Sequence, residues 1–176
     1  MLVASVLVQG TASVTAPQGW TQIRDTAGGS DLRQVLYSRV AGGSEAASYA
    51  FSLSFKSSAA GTIVAYGGVD PINPVEASSG QANGSSTSIT APGVSTSVQG
   101  ALLVGAFGIV SGSPTTITSP TGMLEQVQVT QSAGKPKLVL ESADAILAQT
   151  GNTGPRTATV TKPAPSIGQL LLLRPA

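Results

Sequence analysis

Leu2-Val3-Ala4-Ser5-Val6-Leu7-Val8, leading through Gly10 to Val14-Thr15-Ala16-Pro17-Gln18-Gly19-Trp20, has a counterpart later in the chain. Leu102-Leu103-Val104-Gly105-Ala106-Phe107 leads through Gly112 to Ile117-Thr118-Ser119-Pro120-Thr121-Gly122-Met123. Each copy is an apolar stretch, a Gly/Ser/Thr loop, a Thr-x-Pro-x-Gly corner closed by a large apolar residue, and a polar stretch. What repeats is a whole supersecondary unit, and the unit is made of strands. The second copy has an extra segment, residues 88–100, ahead of its apolar stretch, whereas the first begins almost on the strand. The expectation is that a strand is missing from the first copy. Its place should lie at the sheet edge from Leu2 to Val8, where unpaired main-chain groups invite a partner.

Working outward, Gly, Pro, Ser and Asn punctuate the chain at roughly ten-residue intervals and helical periodicity is hard to find, the mark of a sandwich or barrel. The clearest alternation sets Tyr49, Phe51, Leu53 and Phe55 against Ala50, Ser52, Ser54 and Lys56, which predicts a strand with one buried aromatic face. Residues 32–40 alternate similarly, with Val35, Tyr37 and Arg39 against Leu36, Ser38 and Val40. Residues 62–66 and 100–110 are apolar on both parities and read as central strands covered on each side. Val127 and Val129, then Leu138 and Leu140, read as hairpin arms around Ser132-Ala133-Gly134-Lys135-Pro136. Residues 157–161 and 168–173 complete the strands, residues 143–149 suit a short helical turn, and residues 77–87 suit a long exposed loop or a linker. The fold class expected is all-β, an antiparallel β-sandwich of jelly-roll or immunoglobulin-like type with an internal pseudo-repeat, forming one domain over residues 1–176.

Composition removes whole classes of function. Nine Lys and Arg against eight Asp and Glu leave a net charge of +1 with no basic cluster, so the electrostatic footprint of a nucleic-acid binder is absent. With no Cys and no His, Ser-His-Asp and Cys-His catalysis and the usual zinc and iron ligand sets are excluded. Charged residues are only 10%, against roughly 25% in an average soluble domain, so solubility rests on Ser, Thr, Gln and Gly. Residues 1–8 lack the basic flank of a signal peptide, and residues 101–110 are too short for the roughly twenty a membrane span needs, so neither export signal nor membrane anchor is expected.

With corner and strands placed, the chain resembles a β-sandwich module of tailed-phage virion proteins and bacterial surface proteins, marked by a Pro-x-Gly-Trp corner. The resemblance rests on Ala16-Pro17-Gln18-Gly19-Trp20-Thr21-Gln22-Ile23-Arg24, Val35-Leu36-Tyr37-Ser38-Arg39-Val40-Ala41 and Tyr49-Ala50-Phe51-Ser52-Leu53. Ile63-Val64-Ala65-Tyr66-Gly67-Gly68-Val69-Asp70, Gly100-Ala101-Leu102-Leu103-Val104 and Gly168-Gln169-Leu170-Leu171-Leu172-Leu173-Arg174-Pro175 extend it over nearly the whole chain. These are fold motifs and specify architecture better than function. The resemblance also implies a strand and a Gly-Asp turn ahead of Leu2, which this sequence lacks; either the reading frame begins upstream of Met1 or the domain takes a strand from another chain.

Several side chains invite a site. Trp20 suits stacking on a sugar ring, although Met123 at the matching corner points to a core plug. Asp70, Asn73 and Glu76 bring oxygens at a spacing calcium uses, but Pro71 and Pro74 argue for a rigid turn instead. Glu141 with Asp144, or Asp25 with Asp31, are the carboxylate pairs available for glycoside hydrolysis. Arg33 and Arg39 flank Tyr37 on one strand face, where cross-strand pairing is the default, and Asn83-Gly84-Ser85 is a glycosylation triplet. The expectation is no catalytic, cofactor or metal site and no enzyme. The chain is read as a structural subunit of an extracellular assembly, first a phage virion, where a start at Met without export signal suits cytoplasmic assembly. A bacterial filament or adhesion module is the alternative, and a carbohydrate-binding module using Trp20 and the loops near Gly112 and Gly134 is a third. Expected partners are copies of itself or other structural proteins, and a surface glycan in the third reading, with neither nucleic acid nor membrane.

Overall fold

The computed structural model describes residues 1–113, 115–131 and 136–176. Among these every regular element is a β-strand: β1 (Leu2–Gln9), β2 (Val14–Thr15), β3 (Thr21–Gly28), β4 (Leu32–Arg39), β5 (Ser52–Leu53), β6 (Ala59–Ala65) and β7 (Val75–Ala91), then β8 (Ser95–Thr96), β9 (Leu102–Ser111), β10 (Ile117–Thr118), β11 (Leu124–Gln131), β12 (Lys137–Ile146), β13 (Gly151–Asn152) and β14 (Arg156–Leu173). One sheet has the order β3-β4-β1-β6. The other runs β10-β14-β9-β12-β11, with β7 also pairing β14, and all the pairings are antiparallel.

Alternation along each strand sorts side chains into layers. Between the sheets lie Val3, Leu36, Tyr66, Val104, Ala106, Leu171 and Leu173, continued by Leu7, Leu32, Ala60, Leu138, Leu140 and Ile167. The opposite face of each sheet is buried as well. Ala4, Val6, Val8, Val35 and Tyr37 pack outward against Ala12, Val14, Trp20, Phe51 and Leu53. Leu103, Phe107, Ile109, Leu170 and Leu172 pack outward against Ile89, Ala91, Val94, Ile117 and Val160. Coverage on both faces is why β1 and β9 read as continuous apolar runs. Polar ties join the sheets: Thr62 Oγ1 lies 3.1 Å from Ser142 Oγ, and Arg24 Nη2 donates to Ser78 O at 2.6 Å.

The structure corrects several expectations. Residues 77–87 are no linker or loop: β7 spans them and pairs with β14 along nearly its whole length. Small Ser, Gly and Ala side chains keep backbone pairing while weakening the pattern that signals it. Residues 143–149 hold no helical turn, since β12 continues through Ile146 opposite β9. The aromatic run around Tyr49 forms only the two-residue β5, with Phe51 and Leu53 half-buried and Phe55 exposed. Residues 100–110 contain the central β9, but residues 62–66 belong largely to β6, an edge strand whose Ile63 is 44% exposed. The predicted hairpin is β11–β12; of its turn, Ser132 to Lys135 fall outside the described residues.

Candidate interaction edge

The two copies agree in detail. At each corner a main-chain bond closes the turn, Trp20 N to Pro17 O at 3.4 Å and Met123 N to Pro120 O at 3.0 Å. Gly19 and Gly122 supply the positive φ both turns need, 88° and 80°. The strand after each corner carries a β-bulge at the same step, between Gln22 and Arg24 in β3 and between Glu125 and Val127 in β11. Taking the bulge as reference, the row Gln22, Tyr37, Ala4, Ile63 crosses the first sheet where Glu125, Ala143, Gly105, Leu170 crosses the second. Two residues along, Val6 faces Gly61 as Phe107 faces Gly168. β2 pairs Val14 with Leu53 as β10 pairs Ile117 with Val160. Hence β6 corresponds to the end of β14, and the segment around Phe51 to its beginning.

This correspondence relocates the missing strand. The expected open edge from Leu2 to Val8 is not open, because β1 pairs with β4 on one side and β6 on the other. In the second sheet the row continues past Leu170 to Ser79 on β7. In the first it stops at Ile63. Residues 75–83 of β7 pair with residues 166–173 of β14, the stretch that corresponds to β6, and residues 88–91 pair with residues 156–159, so among the described residues β6 lacks the neighbour that β7 gives its counterpart.

β6 is a less protected sheet edge than β3 or β11. β3 carries Arg24, Asp25 and a bulge, and β11 carries Glu125 and a bulge. β6 reads Ala-Ala-Gly-Thr-Ile-Val-Ala, with no charge, no Pro and no shift of register against β1. Tyr66 and Met1 exchange main-chain bonds at 2.8 Å, and Gln9 N donates to Ser58 O. In an antiparallel ladder alternate residues point each way, so the N–H and C=O groups of Ala59, Gly61, Ile63 and Ala65 point away from β1. Above this edge a shallow depression of about 180 Å³ is lined by Val6, Tyr49, Phe51, Gly61, Thr62 and Ile63.

The side chains singled out from sequence have other employment. Trp20 is half-buried and packs edge-on to Tyr49 and Phe51, with ring centroids 5.1 and 5.4 Å away, and its indole nitrogen is buried without a hydrogen-bond partner among the described residues. Tyr37 Oη donates to Val14 O at 2.8 Å and so ties that cluster to the loop above it. Asp70 Oδ1 accepts from the amides of Ile72 and Asn73, the turn chemistry expected, while Glu76 accepts from Thr96 and Ser97. Asp25 binds Arg33 through two bonds, and that hydrogen bonding, helped by the carboxylate's charge, raises the Arg33 pKa against the lowering effect of burial. Arg39 reaches Glu45 and Gln18 O and lies over the Tyr49 ring. Asn83 bonds Gln81 and Thr90 within β7.

Neither carboxylate pair shares a site. Asp31 sits exposed at the β3–β4 turn, whereas Asp25 is held on β3 by Arg33. Glu141 and Asp144 stand three apart on β12 and therefore face opposite sides of the sheet. Glu141 is wholly buried on the outer side, where Ser119 Oγ donates to Oε1 at 2.5 Å and Oε2 has no partner. Burial raises its pKa against the opposing effect of Ser119, and the Glu125 charge adds to the rise. Asp144 accepts from Gln126 at 3.2 Å, and burial raises its pKa too. No family model, curated protein or solved structure matches this chain.

Proposed function

We propose that this chain is a non-enzymatic structural module of an extracellular protein assembly, joined to its neighbours through sheet edges and not through a pocket. The observation that carries the reading is β6, an uncharged, unbulged sheet edge with an exposed Ile63 and aromatic rings beside it. Such an edge is a liability in a free monomer and an asset in an assembly. Two further observations support the reading. Of the nominated acids and arginines, Asp25, Arg33 and Arg39 are tied into local pairs, Glu141 is buried and Asp31 stands exposed apart from Asp25, and Trp20 has its indole nitrogen buried beside aromatic rings. Within this class a phage virion protein, such as a capsid decoration, head or tail subunit, is the first choice, on the resemblance of the corner and strand motifs. A bacterial filament or surface-adhesion subunit is the alternative.

The test is location. Immunogold labelling with an antibody to the purified chain should decorate assembled particles or filaments. Labelling confined to the cytoplasm would overturn the proposal, as would saturable binding on a glycan array that disappears with Trp20→Ala in a folded protein.

A further inference from the structure

The second sheet displays, on the same molecule, what covers the edge that the first leaves bare. β7 lies antiparallel along β14, and near its end Ile89 and Ala91, both with no exposed surface, close over the outer core that holds Phe107. Ile89 pairs with Ala158, and the correspondence of the copies puts Phe51 at the place of Ala158. Among the described residues nothing in the first copy does what Ile89 does. The depression between Tyr49, Phe51, Gly61 and Ile63 lies where its counterpart would sit.

Gly61 carries the same message in the backbone. Its counterpart Gly168 lies directly under the β7 main chain, where an added Cβ would stand 2.6 Å from Thr90 O and 2.8 Å from Ala91 N. A side chain there cannot coexist with the strand above. At Gly61 an added Cβ would meet only Ser5 O, at 3.6 Å, and Gly61 has no positive φ to demand glycine. Nothing among the described residues requires Gly61 to lack a side chain. A strand crossing above it, as β7 crosses Gly168, would require it.

We propose that β6 is a strand-docking site, completed by an antiparallel segment of a partner chain with the chemistry of β7: extended, rich in Ser, Thr, Gly and Ala, uncharged along the paired stretch, with one aliphatic side chain seated against Phe51. This rests on reading the chain as a component of an assembly and names the surface and the partner's composition. The docked strand bonds the outward N–H and C=O groups of Ala59, Gly61, Ile63 and Ala65, continuing the row that ends at Ile63 as Ser79 continues the row at Leu170. β7 residues 77–91 carry no charge, which suits an edge with none to offer.

A synthetic, fluorescently labelled peptide of the β7 sequence, residues 75–91, added to the full 176-residue chain tests this by anisotropy. Saturable one-to-one binding is expected, a scrambled peptide should not bind, and hydrogen exchange at the Gly61 and Ile63 amides should slow. Ile63→Pro removes an outward-pointing N–H and spares the ladder to β1, so binding should weaken by at least about tenfold. Gly61→Ala should leave the melting temperature of the free chain within about 2 °C, since the added methyl meets only Ser5 O at van der Waals distance, and yet lower peptide affinity by a similar factor. Absence of binding to a folded chain overturns the inference, as does binding indifferent to both substitutions. Self-association that Ile63→Pro abolishes while the peptide goes unbound would identify a second copy as the occupant and overturn it too. In each of these cases particle labelling can still succeed, so the two proposals fail separately.

Discussion

Gln34 and Gln169 are both wholly buried, one on each sheet, and they bond each other across the interior. Gln34 Nε2 donates to Gln169 Oε1 at 2.9 Å and to Ala106 O at 3.1 Å. Gln169 Nε2 donates to Thr26 Oγ1 at 2.9 Å and to Gln34 O at 3.0 Å. Gly108 makes the room, since a Cβ there would stand 2.2 Å from Gln34 Oε1. Replacing Gln169 with Leu deletes three of these bonds and leaves Gln34 a single acceptor. At about 1 kcal/mol for each bond, the loss is about 3 kcal/mol. For a chain of this size that lowers Tm by about 6–12 °C. The double variant Gln34→Leu with Gln169→Leu removes donors and acceptors together, so it should cost less than the sum of the single variants by about 1 kcal/mol or more. Thermal and urea unfolding of the four proteins, each checked for native size, measures both quantities. A Gln169→Leu loss under about 2 °C, or strict additivity in the cycle, would refute the view that this pair locks the sheets together.

Other expectations follow from single sites. Because burial raises the Glu141 pKa, the folded chain holds that proton to higher pH than the unfolded chain does. Its stabilising contribution is therefore full below the unfolded carboxyl value of about 4.3 and is lost as pH rises through the folded value. Glu141→Gln should raise Tm at pH 7, change it little at pH 4, and flatten the slope between; an unchanged slope would count against the burial argument. Gly168→Ala should cost about 2–3 kcal/mol in urea unfolding, since a backbone carbonyl occupies the space its Cβ needs. A loss below about 0.5 kcal/mol would show that β7 can move aside. Tyr37→Phe should cost about 1 kcal/mol by stranding the Val14 carbonyl, without altering the aromatic near-ultraviolet dichroism that Trp20 dominates.

The repeat, the all-β class and most strand positions were legible in residue order, because an apolar run, a Pro-x-Gly corner and alternating parity act over a few residues. Trp20 and Met123 stood out by their equivalent corners, and both pack half-buried against a core cluster, while Asp70 announced a turn by its neighbouring prolines. β7 was obscure because its Ser, Gly and Ala side chains pair by backbone alone, and Tyr49 to Phe55 misled because alternation reports burial and not hydrogen bonding. Glu141 gave no sign that it would be buried, since that depends on which residues the opposite strands bring over it.

That the two copies differ by a strand-sized segment was written in residue order. Which strand stands bare was not, because sequence neighbours need not be sheet neighbours. In the second sheet β7 pairs with β14, which the chain reaches only after β9 to β13 have been laid down, whereas in the first β6 has no such neighbour among the described residues and β1 lies covered between β4 and β6. Local patterning determined the strands, and long-range pairing alone decided where their edge was left open.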